Sequence, residues 1–253
     1  MIGTYFAAAA AKLCEAFFIR KGGVRVKTAL AEAVELILSG DRQLAIILVT
    51  TLRMALASSV IALLIGAPLG VLLGGCAGRG KRALVTVNRT LMGLPPVVVG
   101  LVCYMLFSGV GPLRHLRLLY TIRGMVIAQV ILLVPLIVGS LESHLSTVAP
   151  DILETALGLG LRRGRTLLLM LGESQYQLVA AYLLGLGRAL AEVGAVSMVG
   201  GAIAYKTNVM TTAIMNYTNM GAFTSALALG IILLAVSLLL NAGAALLHWR
   251  LER

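Results

Sequence analysis

Long uncharged apolar runs are what most constrain this chain. Met54–Leu73 contains no Asp, Glu, Lys or Arg. A helix that crosses a bilayer needs about 20 mostly apolar residues, and this run supplies them. Further apolar segments cover Thr90–Ser108, Tyr120–Leu141, Tyr176–Ala204 and Ala222–Leu247, and the first extends over Leu44–Ala77. Composition agrees: 59% of the 253 residues are hydrophobic and 12% charged. Soluble domains sit near 45–50% apolar and about 25% charged. The predicted fold class is an all-α polytopic membrane protein with about five spanning helices.

Residues 1–43 follow a different pattern. Tyr5–Ile19 is apolar apart from Lys12 and Glu15, and is short for a span. Arg20, Lys21, Arg25 and Lys27 follow, and Thr28–Leu38 then spaces its apolar residues as a helix does, with Glu32 and Glu35 on another face. This predicts an N-terminal extension with an amphipathic interfacial helix, ahead of a transmembrane domain over residues 44–249. No basic stretch precedes Ala7–Ala11, so a cleavable signal peptide is not expected.

Charge placement predicts orientation. Arg79, Lys81, Arg82, Arg89, Arg162, Arg163, Arg165, Arg250 and Arg253 fall on one side of a five-span arrangement. Arg114, Arg117, Arg123 and Lys206 fall on the other. The richer side is cytoplasmic by the positive-inside rule, which puts the N-terminus outside and the C-terminus inside. The Arg20–Lys27 stretch opposes this, and an extra span near the start would reconcile it. The net charge of +11 thus reflects topology and lipid headgroups. No basic–aromatic stripe suggests nucleic acid.

Several chemistries are not supported. Cys14, Cys76 and Cys103 are widely spaced, and His115, His144 and His248 are scattered, so no metal-ligand set is expected. Gly75-Cys-Ala-Gly-Arg-Gly-Lys81 approaches a phosphate-binding loop, but Arg82 stands where the Mg²⁺-ligating Ser or Thr belongs. The chain is expected to bind no cofactor itself and to be no enzyme. A secondary transporter would need coupling carboxylates at mid-membrane or inverted repeats. Glu192 is the sole candidate carboxylate in a firm span, and no repeat is evident. A membrane-embedded enzyme would cluster His, Asp or Ser at one face; none do so.

The segment 142–175 between the third and fourth spans is long for a tight connection. It contains Ala149-Pro-Asp-Ile-Leu-Glu-Thr-Ala-Leu-Gly-Leu-Gly160 and then Leu161, Arg162, Arg163 and Arg165. Pro150 suits a first helical turn, and Asp151 and Glu154 suit a helix N-terminus. Gly158, Gly160 and Gly164 permit a sharp turn. A short helix, a turn and a basic exit are expected.

Glu154-Thr155-Ala156 with Gly160 at the seventh position resembles the "EAA" loop of ABC-importer permeases. Thr155 replaces the loop's first alanine, and Leu171-Gly172 stands where the loop has Leu-Pro. Three further blocks are similar to tungstate permeases and their molybdate and sulfate relatives. They are Leu91-Met-Gly-Leu-Pro-Pro-Val-Val-Val-Gly100, Gly187-Arg-Ala-Leu-Ala-Glu-Val-Gly-Ala-Val-Ser-Met-Val-Gly-Gly201 and Thr207-Asn-Val-Met-Thr-Thr-Ala-Ile214. Ala202 departs from the Asn common after the paired glycines.

The resemblance implies a type I ABC-importer transmembrane domain working as a homodimer. Two ATP-binding subunits would carry ATP and Mg²⁺, and an external oxyanion-binding protein would deliver substrate. It makes Glu154, Thr155, Ala156, Gly160, Leu161, Arg162 and Arg163 the coupling segment that seats on the ATP-binding subunit. Candidate pathway or gate residues are Pro95, Pro96, Arg188, Glu192 and Gly194. Pro95-Pro96 is either a simple helix start or a break that a cavity must satisfy. Arg188 and Glu192, four apart, form either a structural ion pair on one helix face or gate groups. Lys206, Thr207, Thr211 and Thr212 are either ordinary interfacial residues or contacts to oxyanion or binding protein.

Overall fold

The computed structural model describes residues 42–75 and 79–251, with isolated positions Ala31, Val34, Glu35 and Leu38 before them. Most of the expected amphipathic N-terminal helix, whose described positions Ala31, Val34, Glu35 and Leu38 are helical, lies outside the described residues, as do Cys14, Cys76 and Arg253. So do the side chains of Arg163 and of residues 244–251, Trp249 among them.

Among the described residues the fold is helical throughout. The elements are α1 (Arg42–Gly75), α2 (Arg79–Met92), α3 (Pro96–Phe107), a 3₁₀ turn (Arg114–Leu116), α4 (Ile122–Gly158), α5 (Arg163–Glu173), α6 (Gln175–Ala191), α7 (Gly194–Gly200), α8 (Met210–Asn219) and α9 (Phe223–Leu251). α1, α4 and α9 are each long and apolar enough to cross a membrane. Two bent helix pairs, α2 with α3 at 91° and α5 with α6 at 68°, reach that length and hydropathy only when each pair is taken together.

α1 and α4 form the central pair. Gly66, Gly70 and Gly74 recur every four residues on α1, one above the other on a single face. A Cβ added there would sit 2.9 Å from Ile137, 2.8 Å from Leu141 and 2.6 Å from Leu145. The missing side chains let the α4 side chains seat against the α1 backbone. In lipid, where apolar surface gains little from leaving solvent, such close van der Waals packing drives helix association.

The other cores radiate from this pair. Ala55, Ala62, Leu133, Ile137 and Leu186 join α1, α4 and α6. Val99, Cys103, Ala128 and Val199 join α3, α4 and α7. Met210, Ala213, Leu229 and Ile232 hold α8 and α9 to α1. One polar knot sits among them. Gln129 is buried; its Oε1 accepts from Ser58 Oγ at 2.7 Å, and its Nε2 donates to the Ala189 carbonyl at 2.9 Å. This ties α1, α4 and α6 together where no water can satisfy a polar group.

The structure corrects three expectations. No loop begins after Leu141: the helix of the third span, α4, runs unbroken for 37 residues to Gly158, about 55 Å at ~1.5 Å per residue. Pro150 therefore begins no helix; it lies within α4. The second span does not begin at Thr90, because α2 starts at Arg79 and the chain bends only at Gly93–Pro95. Arg89, counted above with a loop, is helical. The fourth span is no single helix either, since α6 stops at Ala191 and α7 starts at Gly194.

Candidate coupling turn and translocation break

The Glu154–Gly160 segment is the far end of α4. Three backbone bonds close it: Leu159 N–H to Thr155 O (3.0 Å), Gly160 N–H to Leu157 O (3.0 Å) and Leu161 N–H to Ala156 O (2.9 Å). Gly160 has φ +61°. The last two bonds around a left-handed glycine make a Schellman cap. This explains the spacing between Ala156 and Gly160: the Ala156 carbonyl accepts the Leu161 N–H bond that closes the cap, and Gly160 supplies the left-handed turn. Gly158 lies in helix and Gly164 at the start of α5, so of the three glycines expected to turn the chain only Gly160 does so.

Ala156 is buried at the base of the turn, while Glu154, Thr155, Gly160 and Arg162 are exposed and Leu161 is half-buried. Leu157 and Leu159 are 78% and 68% exposed. An apolar pair this open, rimmed by Glu154 and Arg162, has the character of a docking face. The turn is braced behind. Val71, Leu145, Ala149 and Met170 form one cluster across α1, α4 and α5, and Gly75 leaves room for the Met170 sulfur. The turn is thus packed firmly against α1 and α5.

The break between α6 and α7 gathers most of the predicted pathway residues. Glu192 ends α6 in extended conformation (φ −73°, ψ 127°). Its Oε1 accepts from Ala195 N–H at 3.1 Å. Its carbonyl accepts from Thr211 Oγ1 at 2.9 Å. A Cβ on Gly194 would lie 2.9 Å from Val97 Cγ2 and 3.3 Å from Val97 N. Gly194 thus lets the α7 start abut the α3 start, where Pro95 is the N-cap and Pro96 the first helical residue. Gly100 repeats this one turn on, its missing Cβ 2.7 Å from Ala195 Cα. Two interrupted helices meet at their breaks, and side chains satisfy the freed backbone groups as a membrane interior demands.

Arg188 and Glu192 are not an ion pair on one helical face. The helix ends before Glu192, which turns inward at 6% exposure, while Arg188 stays exposed. The ion pair among the described residues is Lys81–Glu142, at 3.9 Å. Thr207, Thr211 and Thr212 also differ from expectation, being buried and committed to structure. Thr207 Oγ1 donates to Gly200 O at 2.6 Å and accepts from Ile203 N–H at 3.1 Å. Thr212 Oγ1 donates to Asn208 Oδ1 at 2.8 Å and accepts from Val209 N–H at 3.0 Å. Of the four candidates in that block, Lys206 alone is exposed. Sequence reading missed Gln129, Lys81 and the Gly66–Gly70–Gly74 ridge. The last had a visible signal in its four-residue spacing.

Residues 66–253 match the model of the family described as binding-protein-dependent transport system inner membrane component. The tungstate uptake system permease protein TupB of Peptoclostridium acidaminophilum is 36% identical over 83% of this chain and 92% of its own. A probable anion ABC transporter permease protein of Haloferax volcanii is 35% identical, over 80% and 91%. TupB of Campylobacter jejuni is 34% identical, over 64% and 67%. Sulfate and molybdenum transport permeases are more distant, at 28–29%. The several apolar helices are those of a multi-pass membrane permease, and the chain belongs to the family of binding-protein-dependent transport system inner membrane components.

Proposed function

We propose that this chain is the translocating subunit of an ATP-driven oxyanion importer and that its substrate is tungstate. Membership in the family implies an ATP-binding partner and a substrate-binding partner. The observation that carries the reading is α4, one continuous helix from the membrane to an exposed, glycine-capped turn. The hydrocarbon core is about 30 Å thick, so roughly 25 Å of this helix projects beyond it. The two TupB relatives support tungstate as cargo.

In this reading the chain works as a homodimer with two ATP-binding subunits, N-terminus outside and C-terminus inside. The Glu154–Arg163 turn docks on the ATP-binding subunit, which holds ATP and Mg²⁺. Closure of those subunits moves the paired turns together, and α4 carries the displacement to the helices packed on it. The breaks at Pro95–Pro96 and Glu192–Gly194 give the bundle a place to bend. Oxyanion released by the external binding protein enters past Lys206, and hydrolysis resets the inward state.

The test is reconstitution with the ATP-binding subunit and the binding protein, with competition among tungstate, molybdate and sulfate. ATP-dependent uptake that tungstate blocks best is expected. Uptake without ATP would sink the mechanism. Uptake that sulfate or molybdate competes for more strongly than tungstate would sink the substrate assignment. Glu154→Lys should insert normally yet lose uptake; full uptake by that variant would remove the turn from the mechanism.

A further inference from the structure

α2 has two unlike flanks. Asn88 faces α4 and donates Nδ2–H to the Pro135 carbonyl at 3.1 Å. On one side of Asn88, Leu84, Val87 and Leu91 border a cavity of 380 Å³ against Leu69 and Leu72 of α1, and nearly all its lining is apolar. On the other side, Val85, Arg89 and Met92 border a second cavity, of 340 Å³, against Gly139, Glu142 and Ser143 of α4. Arg82, seven residues before Arg89, falls on this second flank, because seven residues are nearly two full turns. A helix apolar on one flank and cationic on the other has lipid or protein on the first and water on the second.

Two residues that line the second cavity, Arg89 and Glu142, carry opposite charges. Glu142 lines it and is buried, but Lys81 already neutralises that carboxylate. Lys81 is held in place by a second bond, from Nζ to the Gly74 carbonyl at 3.0 Å, where the last carbonyls of α1 want a cation. Arg89 is exposed and has no part in that pair. Among the described residues this leaves the Arg89 guanidinium outside any ion pair, at a cavity that Ser143 also lines. A guanidinium presents a planar fork of donors to an oxyanion, and the hydroxyl adds one more. Gly74 packs on Leu145 and Gly75 on Met170, so this cavity lies toward the end of the bundle that carries the coupling turn.

The geometry points to the α2–α4 cavity as an oxyanion site on the coupling-turn side of the translocation path, with Arg89 as its specificity-determining cation and the Lys81–Glu142 pair as the device that leaves Arg89 unopposed. This rests on the oxyanion-permease reading and extends it to a site within the chain. A tetrahedral dianion leaving toward the cytoplasm would pause on Arg89 and Ser143. A sulfate, molybdate or tungstate ion shares this chemistry with a lipid phosphate, so the test separates them.

Ser143→Cys is placed in a background with Cys14, Cys76 and Cys103 changed to Ala, and the full transporter is reconstituted in vesicles. Labelling by a sulfonate-bearing methanethiosulfonate is compared with labelling by its trimethylammonium counterpart. The anionic reagent should react several-fold faster, and millimolar tungstate should slow it. Adding Arg89→Gln should erase both effects, and Arg89→Lys should restore the charge preference. In otherwise wild-type protein, Arg89→Gln should lower uptake about tenfold, the order expected for one charge-assisted hydrogen bond.

Inert Ser143→Cys, or equal rates with the two reagents, would overturn the site. So would labelling that ignores tungstate but changes when phosphatidylcholine vesicles are replaced by phosphatidylglycerol ones, since Arg89 would then hold a lipid phosphate. Wild-type uptake in the same vesicles separates the two readings. If it is absent while labelling behaves as stated, the importer assignment fails alone. If it is present and Arg89→Gln matches it, the site fails alone.

Discussion

Replacing Gly160 by alanine isolates the physics of the coupling turn. Nothing lies within 4 Å of a Cβ built on Gly160, so the substitution meets no clash. The cost comes from the backbone: φ is +61°, and a residue with a Cβ gives up about 1–2 kcal/mol in that left-handed conformation. A penalty of that size lowers the population of the closed turn about 5- to 30-fold relative to open alternatives. The bonds at stake are Gly160 N–H to Leu157 O and Leu161 N–H to Ala156 O. The bundle core is untouched, so thermal stability in detergent should hardly move.

The assay is uptake coupled to the ATP-binding subunit, with the affinity of the two subunits measured in parallel. Gly160→Ala should weaken both, and Gly160→Asn should weaken them less, because Asn tolerates the left-handed region. Gly158→Ala and Gly164→Ala are the controls. Both sites have the same open space but no positive φ, and both should behave as wild type. If Gly160→Ala matched the wild type, or if the three alanine variants fell together, the cap would not be what positions the turn.

Three further outcomes follow from the packing. Gly70→Val drives a side chain into Leu141, 2.8 Å from where its Cβ would sit, and should lower stability by about 1–3 kcal/mol, seen as a lower melting temperature in detergent. Glu192→Gln keeps an oxygen for the Ala195 N–H, whereas Glu192→Ala removes it; if Glu192 serves the break alone, Gln should transport and Ala should not, and equal loss in both would show that its charge is needed. Lys81→Met strands the buried Glu142 carboxylate, so it should destabilise the protein, and adding Glu142→Gln should recover much of the loss. A double variant no better than Lys81→Met would mean that Lys81 matters through its bond to Gly74 instead.

The sequence by itself determined the solvent and the class of the fold. Runs such as Met54–Leu73 carry no charge and fit lipid alone, and only hydrogen bonds within a helix can satisfy their backbone there. It also marked the turn at Gly160, proposed above for coupling, because a glycine at a left-handed cap is a local requirement visible in one dimension. The positions of the breaks were partly legible in Pro95-Pro96, since proline acts on its own neighbours.

Tertiary structure decided the rest. The α6–α7 break lies inside an apolar run that looks continuous, and it persists because Gln129 and Thr211, 60 and 19 residues away, donate hydrogen bonds to the Ala189 and Glu192 carbonyls at the end of α6. Thr207 and Thr212 look like surface hydroxyls in the sequence, yet folding turns them inward to bond backbone that has left its helix. The charge on Arg89 belongs to a loop by composition and to a cavity by geometry, because only the packing of α2 on α4 brings Glu142 to Lys81 and leaves Arg89 outside the ion pair seen among the described residues. Local rules act through adjacent residues; a buried polar group is satisfied by whatever the fold brings beside it, and no pattern along the chain records which partner that is.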